Sequence, residues 1–236
     1  MNKILRYRSL LPVYLGILSV VALLTMLGSR AVTVMTVNAP MISKNTVIID
    51  AGHGGVDGGA VSCTGVLESV INLEIALKLN DLMHLLGINT VMIRETDISV
   101  YTKGETIAQK KISDLKERVR IVNNTSNATL ISIHQNHFTD SRYSGAQVFY
   151  GETDGSQQLA ESLQSTFFKT MNPANNRRIK KADGIYLMQH IECTAVLVEC
   201  GFLSNAAEEY KLRTKEYQQK ISSVIACCVS NYLFAT

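Results

Sequence analysis

The sequence contains few of the features that mark specialised classes of protein. It has no arginine-rich block and a net charge of only +3, so nucleic acid is not an expected partner. Its five cysteines form no C-x-x-C pair, and their odd number suggests neither a disulfide framework nor a cysteine zinc cluster. A Cys193–Cys200 bridge is disfavoured, because a strand between them would hold the Cα atoms too far apart. With 46% hydrophobic and 18% charged residues, the chain is expected to form a globular core rather than remain disordered.

The N-terminal segment resembles a membrane leader. Three basic residues (Lys3, Arg6 and Arg8) precede residues 9–29, which carry no charge and could cross a bilayer core of about 30 Å as a helix. The basic flank predicts that the N-terminus stays in the cytoplasm while the rest is exported. Two interpretations remain open, a cleaved signal peptide and a retained signal anchor. We therefore expect a leader at residues 1–31, a linker at 32–44 and one extracytoplasmic domain at 45–236.

The remainder of the chain alternates between predicted strands and predicted helices. Apolar runs predict strands at residues 46–50, 89–94, 129–134, 145–150 and 194–200, and a short extended segment at 184–188. Helical spacing of apolar residues predicts helices at 67–86, 113–124 with Ser113 as N-cap, 156–171 and 215–233. Residues 98–111 show no clear pattern and are a candidate functional loop or lid. Continuous apolar strands separated by helices indicate an α/β fold around a mostly parallel sheet flanked by helices.

Polar residues stand at the ends of three of the predicted strands. His53 follows the run VIIDAG, His134 closes TLISIH, and Glu199 ends TAVLVE. Parallel strands would bring all three to the same edge of the sheet, where open α/β proteins bind ligands. Glu68 opens the helix that returns from this edge. We therefore expect these four side chains to lie close together.

Two histidines and one glutamate are a typical ligand set for catalytic zinc. His53, Glu68 and His134 would supply three ligands and leave a fourth position for water, whose pKa the metal lowers to about 7. Glu199 would then act as the general base and pass the proton to the leaving amine. Its place at the end of an apolar strand should raise its pKa by partial desolvation.

Each of these residues also has a structural interpretation when it is taken alone. A single histidine at a strand end is more often a structural residue than a ligand, and Glu68 could simply complement the helix dipole. The joint pattern favours the metal site. His84 is interpreted as a surface or core residue, whereas His137 and His190 could face the substrate cleft without binding metal.

Four motifs in order resemble the zinc-dependent N-acetylmuramoyl-L-alanine amidases. They are VIIDAGHGGVDGGA, GVLESVINLEIA, ISIHQN and LVECGFLSN, and the resemblance runs over residues 46–233. It implies hydrolysis of the amide between muramic acid and the first L-alanine of the peptidoglycan stem peptide. It also implies Zn²⁺ bound by His53, Glu68 and His134, catalysis by Glu199, and a twisted, mainly parallel sheet of about six strands.

Two further stretches are similar to the germination-specific (spore cortex) amidases of spore-forming bacteria. These are TKGETIAQKKISDLKERVRIVN and DGIYLMQHI. This resemblance implies that the chain works with a muramic acid deacetylase to form muramic-δ-lactam in the cortex. A lipoprotein activator and a location in the forespore intermembrane space would follow.

Two other functions remain compatible with the residues. A zinc peptidase acting on stem peptides would use the same ligands but would cut between amino acids. A non-catalytic, membrane-tethered wall-binding protein would be expected to have lost a ligand or the glutamate, and neither is lost here.

Overall fold

The computed structural model describes residues 45–173 and 176–235. The expected leader and linker lie outside the described residues. Over the described ranges, no helix combines the length and the apolar character needed to cross a bilayer. The five cysteines are free, so Cys193 and Cys200 do not form a disulfide.

A six-stranded mixed sheet forms the centre of the described part of the chain. Its strands stand in the order β2-β1-β3-β6-β4-β5. Four of the neighbouring pairs are parallel, and only β4 and β6 are antiparallel. The prediction of a mainly parallel sheet is therefore confirmed. The strands are β1 (Thr46–Ala51), β2 (Asn89–Met92), β3 (Ala128–Asn136), β4 (Gln147–Tyr150), β5 (Lys180–Lys181) and β6 (Thr194–Phe202).

Helices cover both faces of this sheet. Along β6, Val196 and Val198 pack into one apolar cluster and Ala195 and Leu197 into another, because successive side chains of a strand point to opposite faces. The first face carries α1, α3 and α6, and the second carries α2 and α4. The helices are α1 (Glu68–Leu85), α2 (Ile107–Asn123), α3 (Ser156–Thr170), α4 (Tyr186–His190), α5 (Ala206–Leu212) and α6 (Lys215–Ala235).

The parallel pairing of β1, β3 and β6 brings their carboxyl ends to one edge. His134 on β3 stands directly beside Glu199 on β6, and the register shifts between His134 and Asn136. The backbone of β1 continues past its last residue, with Gly52 donating to the carbonyl of Ile133 at 3.0 Å. The expected convergence of the strand ends is thus confirmed.

Helix α2 begins six residues earlier than predicted. Thr106 is its N-cap, and its side chain accepts a hydrogen bond from the backbone of Gln109, whose side chain accepts in turn from the backbone of Thr106. This capping box explains the earlier start. The prediction of Ser113 as N-cap was therefore wrong. Ser113 lies within the helix, and its hydroxyl accepts hydrogen bonds from the backbone of Thr102 and Lys103.

Residues 184–188 were predicted to be extended, and this was also wrong. They lead into the short helix α4, which buries Leu187 and Met188. An apolar run this short fits either conformation, so its pattern could not distinguish them. The sequence pattern also missed β5 and α5; α5 is capped by Asn205, which accepts from the backbone of Glu208.

The candidate loop after β2 is attached to the turn that carries His53. Ser99 donates to the carbonyl of Gly54 at 2.5 Å, and Asp97 accepts from the backbone of Gly55 at 2.9 Å. Asp114 of α2 accepts from the backbone of Val100 at 2.6 Å. These bonds make the loop a support of the turn, and only residues 98–106 of the predicted 98–111 precede the helix.

Candidate active site

The structure brings three of the predicted site residues into one cluster. His53 follows β1 in a tight turn, Glu68 is the first residue of α1, and His134 lies near the end of β3. One ligand atom from each of them lies within 4.8 Å of the others. The rings of His53 and His134 meet edge to face, with centroids 5.0 Å apart.

The carboxylate of Glu68 joins the two imidazoles. Its Oε2 lies 3.3 Å from Nε2 of His53 and accepts from the backbone of Ala60 at 3.0 Å. Its Oε1 lies 3.0 Å from Nδ1 of His134 and accepts from the backbone of Gln135 at 3.1 Å. The side chain is buried, so these bonds fix both of its oxygens in one geometry.

The electrostatics of the cluster favour positive charge between its members. Burial by itself raises the pKa of Glu68, but the hydrogen bonds and charges of His134 and His53 hold that pKa far below its usual range. Burial lowers the pKa of His53, but Glu68 and then Asp57 raise it to about 9. A divalent cation bound there would supply such positive charge, since two imidazoles and a carboxylate are metal ligands.

The spacing of one donor pair fits zinc. Two ligands of a tetrahedral zinc, each about 2.0–2.1 Å from the metal, stand roughly 3.3 Å apart. The distance between Nε2 of His53 and Oε2 of Glu68 is 3.3 Å. The three side chains also supply the donor types of an open zinc site, with one ligand atom of each within 4.8 Å of the others.

Close approach of the backbone to the cluster explains two glycines of the motif. A Cβ on Gly52 would stand 2.2 Å from Nε2 of His134. Gly59 has a φ of +70°, and a Cβ there would stand 2.6 Å from Oε2 of Glu68. His53 itself has a φ of 63°, an unusual conformation for a residue other than glycine. The turn is therefore held in this conformation by its surroundings.

Asp57 holds the ring of His53 from the side opposite Glu68. Its Oδ2 lies 2.9 Å from Nδ1 of His53, and its Oδ1 accepts from the ammonium of Lys111 at 2.7 Å. A carboxylate on the second ring nitrogen orients a metal-binding histidine and fixes its tautomer. Asp57 was not among the predicted site residues, although it lies within the motif DAGHGGVDGG.

A buried arginine of α2 secures the end of β1. The guanidinium of Arg118 contacts Asp50 and donates to Asp114 at 2.6 Å. Its Nη2 also donates to the carbonyl of His53 at 2.8 Å. Asp50 additionally accepts from the hydroxyl of Ser132 at 2.6 Å. These residues were missed because they do not stand in any ligand pattern; the signal that could have found them is a charged residue, Asp50, inside an apolar strand.

A second buried arginine approaches the same segment from the residues just after β2. Arg94 donates to the carbonyl of Ala51 at 2.8 Å and to that of Gly52 at 3.1 Å. Asn72 of α1 donates to the same Gly52 carbonyl at 3.1 Å and to Glu68 at 3.2 Å. Side chains from the end of β2, from α1 and from α2 thus donate hydrogen bonds to the backbone carbonyls before His53.

Glu199 lies on the neighbouring strand, beside His134. Burial raises the pKa of its carboxyl to about 7, against the lowering effect of the His134 charge. Its Oε2 is buried and has no hydrogen-bond partner among the described residues. Glu199 is not a member of the three-residue cluster, and a carboxyl with this pKa can exchange a proton near neutral pH.

A cleft of about 190 Å³ opens beside the cluster, between α2 and α4. His53, Asp57 and His134 form its polar wall, and Leu115, Leu187 and Leu197 line the apolar side. A substrate in this cleft would lie against the candidate metal site.

The other histidines stand outside both this cluster and this cleft. His137 is exposed, and His190 bonds to the carbonyl of Tyr186 at 2.8 Å and stacks on its ring. His84 contacts the hydroxyl of Thr90 at 2.7 Å. The expectation that His137 or His190 faces this cleft is therefore not met.

Known proteins of one family resemble this chain over most of its described length. The N-acetylmuramoyl-L-alanine amidase family matches residues 47–231. The germination-specific N-acetylmuramoyl-L-alanine amidase of Bacillus subtilis is 35% identical over 186 residues, covering 78% of each chain.

Two solved structures share the fold. The CwlD amidase of Clostridioides difficile, in complex with the GerS lipoprotein, is 38% identical with a TM-score of 0.77, covering 81% of this chain and all of that one. An N-acetylmuramoyl-L-alanine amidase of Clostridium difficile 630 is 32% identical with a TM-score of 0.71, covering 82% and 99%.

Replacing Arg118 should destabilise the protein through the turn that carries His53. Arg118→Met leaves Asp50 and Asp114 without their buried partner, which costs about 3–5 kcal/mol of unfolding free energy. Chemical denaturation measures this loss. Arg120→Met removes an exposed pair with Glu117 on the same helix and should leave stability almost unchanged. Equal effects of the two substitutions would contradict the bracing role of Arg118.

Proposed function

Because this chain belongs to the N-acetylmuramoyl-L-alanine amidase family, we propose that His53, Glu68 and His134 bind the zinc ion of its amidase site and that Glu199 is the catalytic base. The chain acts on peptidoglycan, where it hydrolyses the amide between N-acetylmuramic acid and L-alanine. Family membership favours this reaction over the peptidase and wall-binding alternatives.

The reaction requires one proton transfer at each side of the scissile bond. The oxygen of water forms a bond to the lactyl carbonyl carbon, and the bond from that carbon to the L-alanine nitrogen breaks. The products are a lactyl carboxylate and the protonated α-amino group of L-alanine. One group that accepts the water proton and returns it to the nitrogen can serve both steps.

His53, Glu68 and His134 would hold the metal, and Asp57 would orient the ring of His53. When bound, zinc supplies Lewis-acid polarisation of the carbonyl and makes water more acidic. Glu68 contributes a negative charge that is fixed by backbone hydrogen bonds from Ala60 and Gln135. Asp57 keeps Nδ1 of His53 as a donor, so that Nε2 faces Glu68 and the metal site.

The position of Glu199 is the observation that carries the catalytic assignment. Its Oε2 is buried without a hydrogen-bond partner in the described chain, next to His134 in the pairing of β3 and β6. A carboxylate with a pKa of about 7 can accept a proton from water and release it to an amine. Glu199 Oε2 is therefore the proposed site of proton transfer.

The substrate places the active domain outside the cytoplasm, because the relatives act on the cell wall. We propose that residues 1–31 direct export as a signal peptide or anchor, that residues 32–44 form the linker, and that residues 45–236 are the catalytic domain. The basic N-terminal flank followed by an uncharged run supports this arrangement.

A role in spore cortex is proposed from the nature of the relatives. The B. subtilis relative is named as germination-specific, and the C. difficile CwlD amidase forms a complex with a lipoprotein. We propose that this chain likewise binds a lipoprotein activator in the forespore intermembrane space. Its product would then serve a muramic acid deacetylase in forming muramic-δ-lactam.

Glu199→Gln should abolish most of the activity without removing the metal. Loss of a general base lowers turnover by about 10²–10⁴-fold, while the three ligands remain in place. Release of stem peptide from muramyl-peptide glycan, followed by mass spectrometry, measures turnover, and zinc content is measured on the same sample.

Glu192→Gln is the matched control for this substitution. Glu192 is exposed and precedes the opposite end of β6, so its replacement should leave turnover unchanged. Full activity of the Glu199→Gln variant would reject the assigned role. Products cut between amino acids would instead indicate a peptidase.

Gly59→Ala should impair zinc binding through the positions of Glu68 and His53. The added Cβ would stand 2.6 Å from Oε2 of Glu68 and 2.7 Å from Cδ2 of His53, so these side chains must move. Gly65→Ala is the matched control, because Gly65 also has a positive φ (+91°) but its Cβ would meet nothing within 4 Å. Zinc titration of both proteins measures the difference. Equal zinc affinities would contradict zinc binding by this cluster.

The proposed lipoprotein should increase zinc occupancy of the isolated domain. A partner that binds only the ordered site stabilises that state by mass action and thereby raises its apparent metal affinity. Zinc content is measured for the purified chain with and without the cognate lipoprotein, at several metal concentrations. Equal, stoichiometric zinc in both preparations would reject partner-dependent loading.

A further inference from the structure

A second cavity, of about 280 Å³, opens at the same edge of the sheet on the other side of Glu199. Gln147 of β4, which lines it, pairs directly with Glu199 of β6. Adjacent strands lie about 4.8 Å apart, a distance that one or two residues of an extended peptide can span. The other principal lining residues are Phe138, Tyr143, Arg177, Lys180 and Phe202.

The charge of this cavity differs from that of the cleft at the metal site. Arg177 and Lys180 line the second cavity, and no aspartate or glutamate is among its described lining residues. The first cleft has a mixed lining, in which three aspartates stand together with Lys111 and Arg118. The second cavity is therefore suited to an anionic group.

Aromatic rings and hydrogen bonds hold the guanidinium of Arg177 in the wall of the cavity. Its Cζ lies 4.5 Å from the ring centroid of Phe202 and 5.3 Å from that of Tyr143. Its Nε donates to the carbonyl of Ser144 at 3.1 Å, and its Nη1 donates to Oε1 of Gln147 at 3.3 Å. An arginine fixed in this way loses little further side-chain entropy when it binds an anion.

The charge of Arg177 acts on one acidic residue, Glu208, whose carboxylate is held by backbone hydrogen bonds. Glu208 accepts hydrogen bonds from the backbone of Gly145 and of Phe202, each at 2.8 Å, and is buried. It thereby secures the two segments that carry the aromatic rings around Arg177. Its carboxylate does not line the cavity.

We propose that this cavity binds a carboxylate of the stem peptide, on the leaving-group side of the scissile amide. This inference rests on the proposed function. In the intact substrate the lactyl carboxyl forms part of the amide and carries no charge, and the N-acetylated sugars are neutral. The peptide, in contrast, carries free carboxylates. A cationic cavity one strand away from the catalytic carboxylate would therefore bind the peptide part of the substrate rather than the sugar part. Arg177 and Lys180 would be specificity-determining residues.

The test compares two muramyl peptides that differ only in whether the peptide carboxylates are free or converted to amides. For the free-carboxylate substrate, Arg177→Gln should raise KM by about tenfold to a hundredfold with little change in kcat, since a hydrogen bond to a charged group is lost. For the amidated substrate, the wild-type protein and this variant should have the same KM. Lys180→Gln should change KM in the same direction without disturbing the aromatic stack.

The matched control is Arg178→Gln, an equal change of charge at the neighbouring exposed residue, whose side chain lines neither cavity. It should leave KM unchanged for both substrates. Unfolding temperature and zinc content are measured for each variant to separate binding from folding. Equal losses on both substrates in both Arg177→Gln and Lys180→Gln would overturn the proposal, as would a loss that depends on changes to the sugar.

Calorimetric binding of the same two ligands to zinc-loaded protein tests the proposal independently of hydrolysis. Preference for the free carboxylates should be present in the wild-type protein and lost in Arg177→Gln. Absence of hydrolysis together with this preference would reject the proposed function and retain the carboxylate site. Hydrolysis without any preference for free carboxylates would reject the carboxylate site and retain the proposed function.

Discussion

The carboxylate of Glu68 is the interaction on which the site depends. It is buried between His53 and His134 and accepts backbone hydrogen bonds from two separate segments, at Ala60 and Gln135. A buried charge is stable only when such partners surround it. The α1 helix, the glycine-rich turn and β3 must therefore all be in place before the cluster can form.

The supports of this carboxylate extend well beyond the proposed ligands. Arg118 and Arg94 bind the carbonyls of the segment that ends β1; Arg118 comes from α2, and Arg94 follows β2, the strand beside β1. Gly52 and Gly59 allow the backbone to approach the side chains of His134 and Glu68 more closely than a residue with a Cβ could. The unusual φ of His53 is compatible with a stable fold because these contacts determine it from several directions.

The active edge of the sheet carries two environments with different charge. On the β1 side, the cluster of His53, Glu68 and His134 favours a cation and adjoins a cleft of mixed charge. On the β4 side, Arg177 and Lys180 favour an anion. Glu199 lies between them on β6, where burial raises its pKa. This order matches a reaction in which the metal site acts on the carbonyl and the departing peptide leaves on the other side.

The sequence by itself determined the α/β class, the main strands and helices, and the selection of His53, Glu68, His134 and Glu199. Apolar periodicity and the position of polar residues at strand ends are local properties, so they can be interpreted without coordinates. Short elements such as α4, β5 and α5 could not be predicted, because a few residues fit more than one conformation until packing selects one. The roles of Asp57, Arg118 and Arg177 became clear only from the tertiary structure. Their roles depend on partners at distant sequence positions or in other segments, and only the folded chain brings these partners within hydrogen-bond distance.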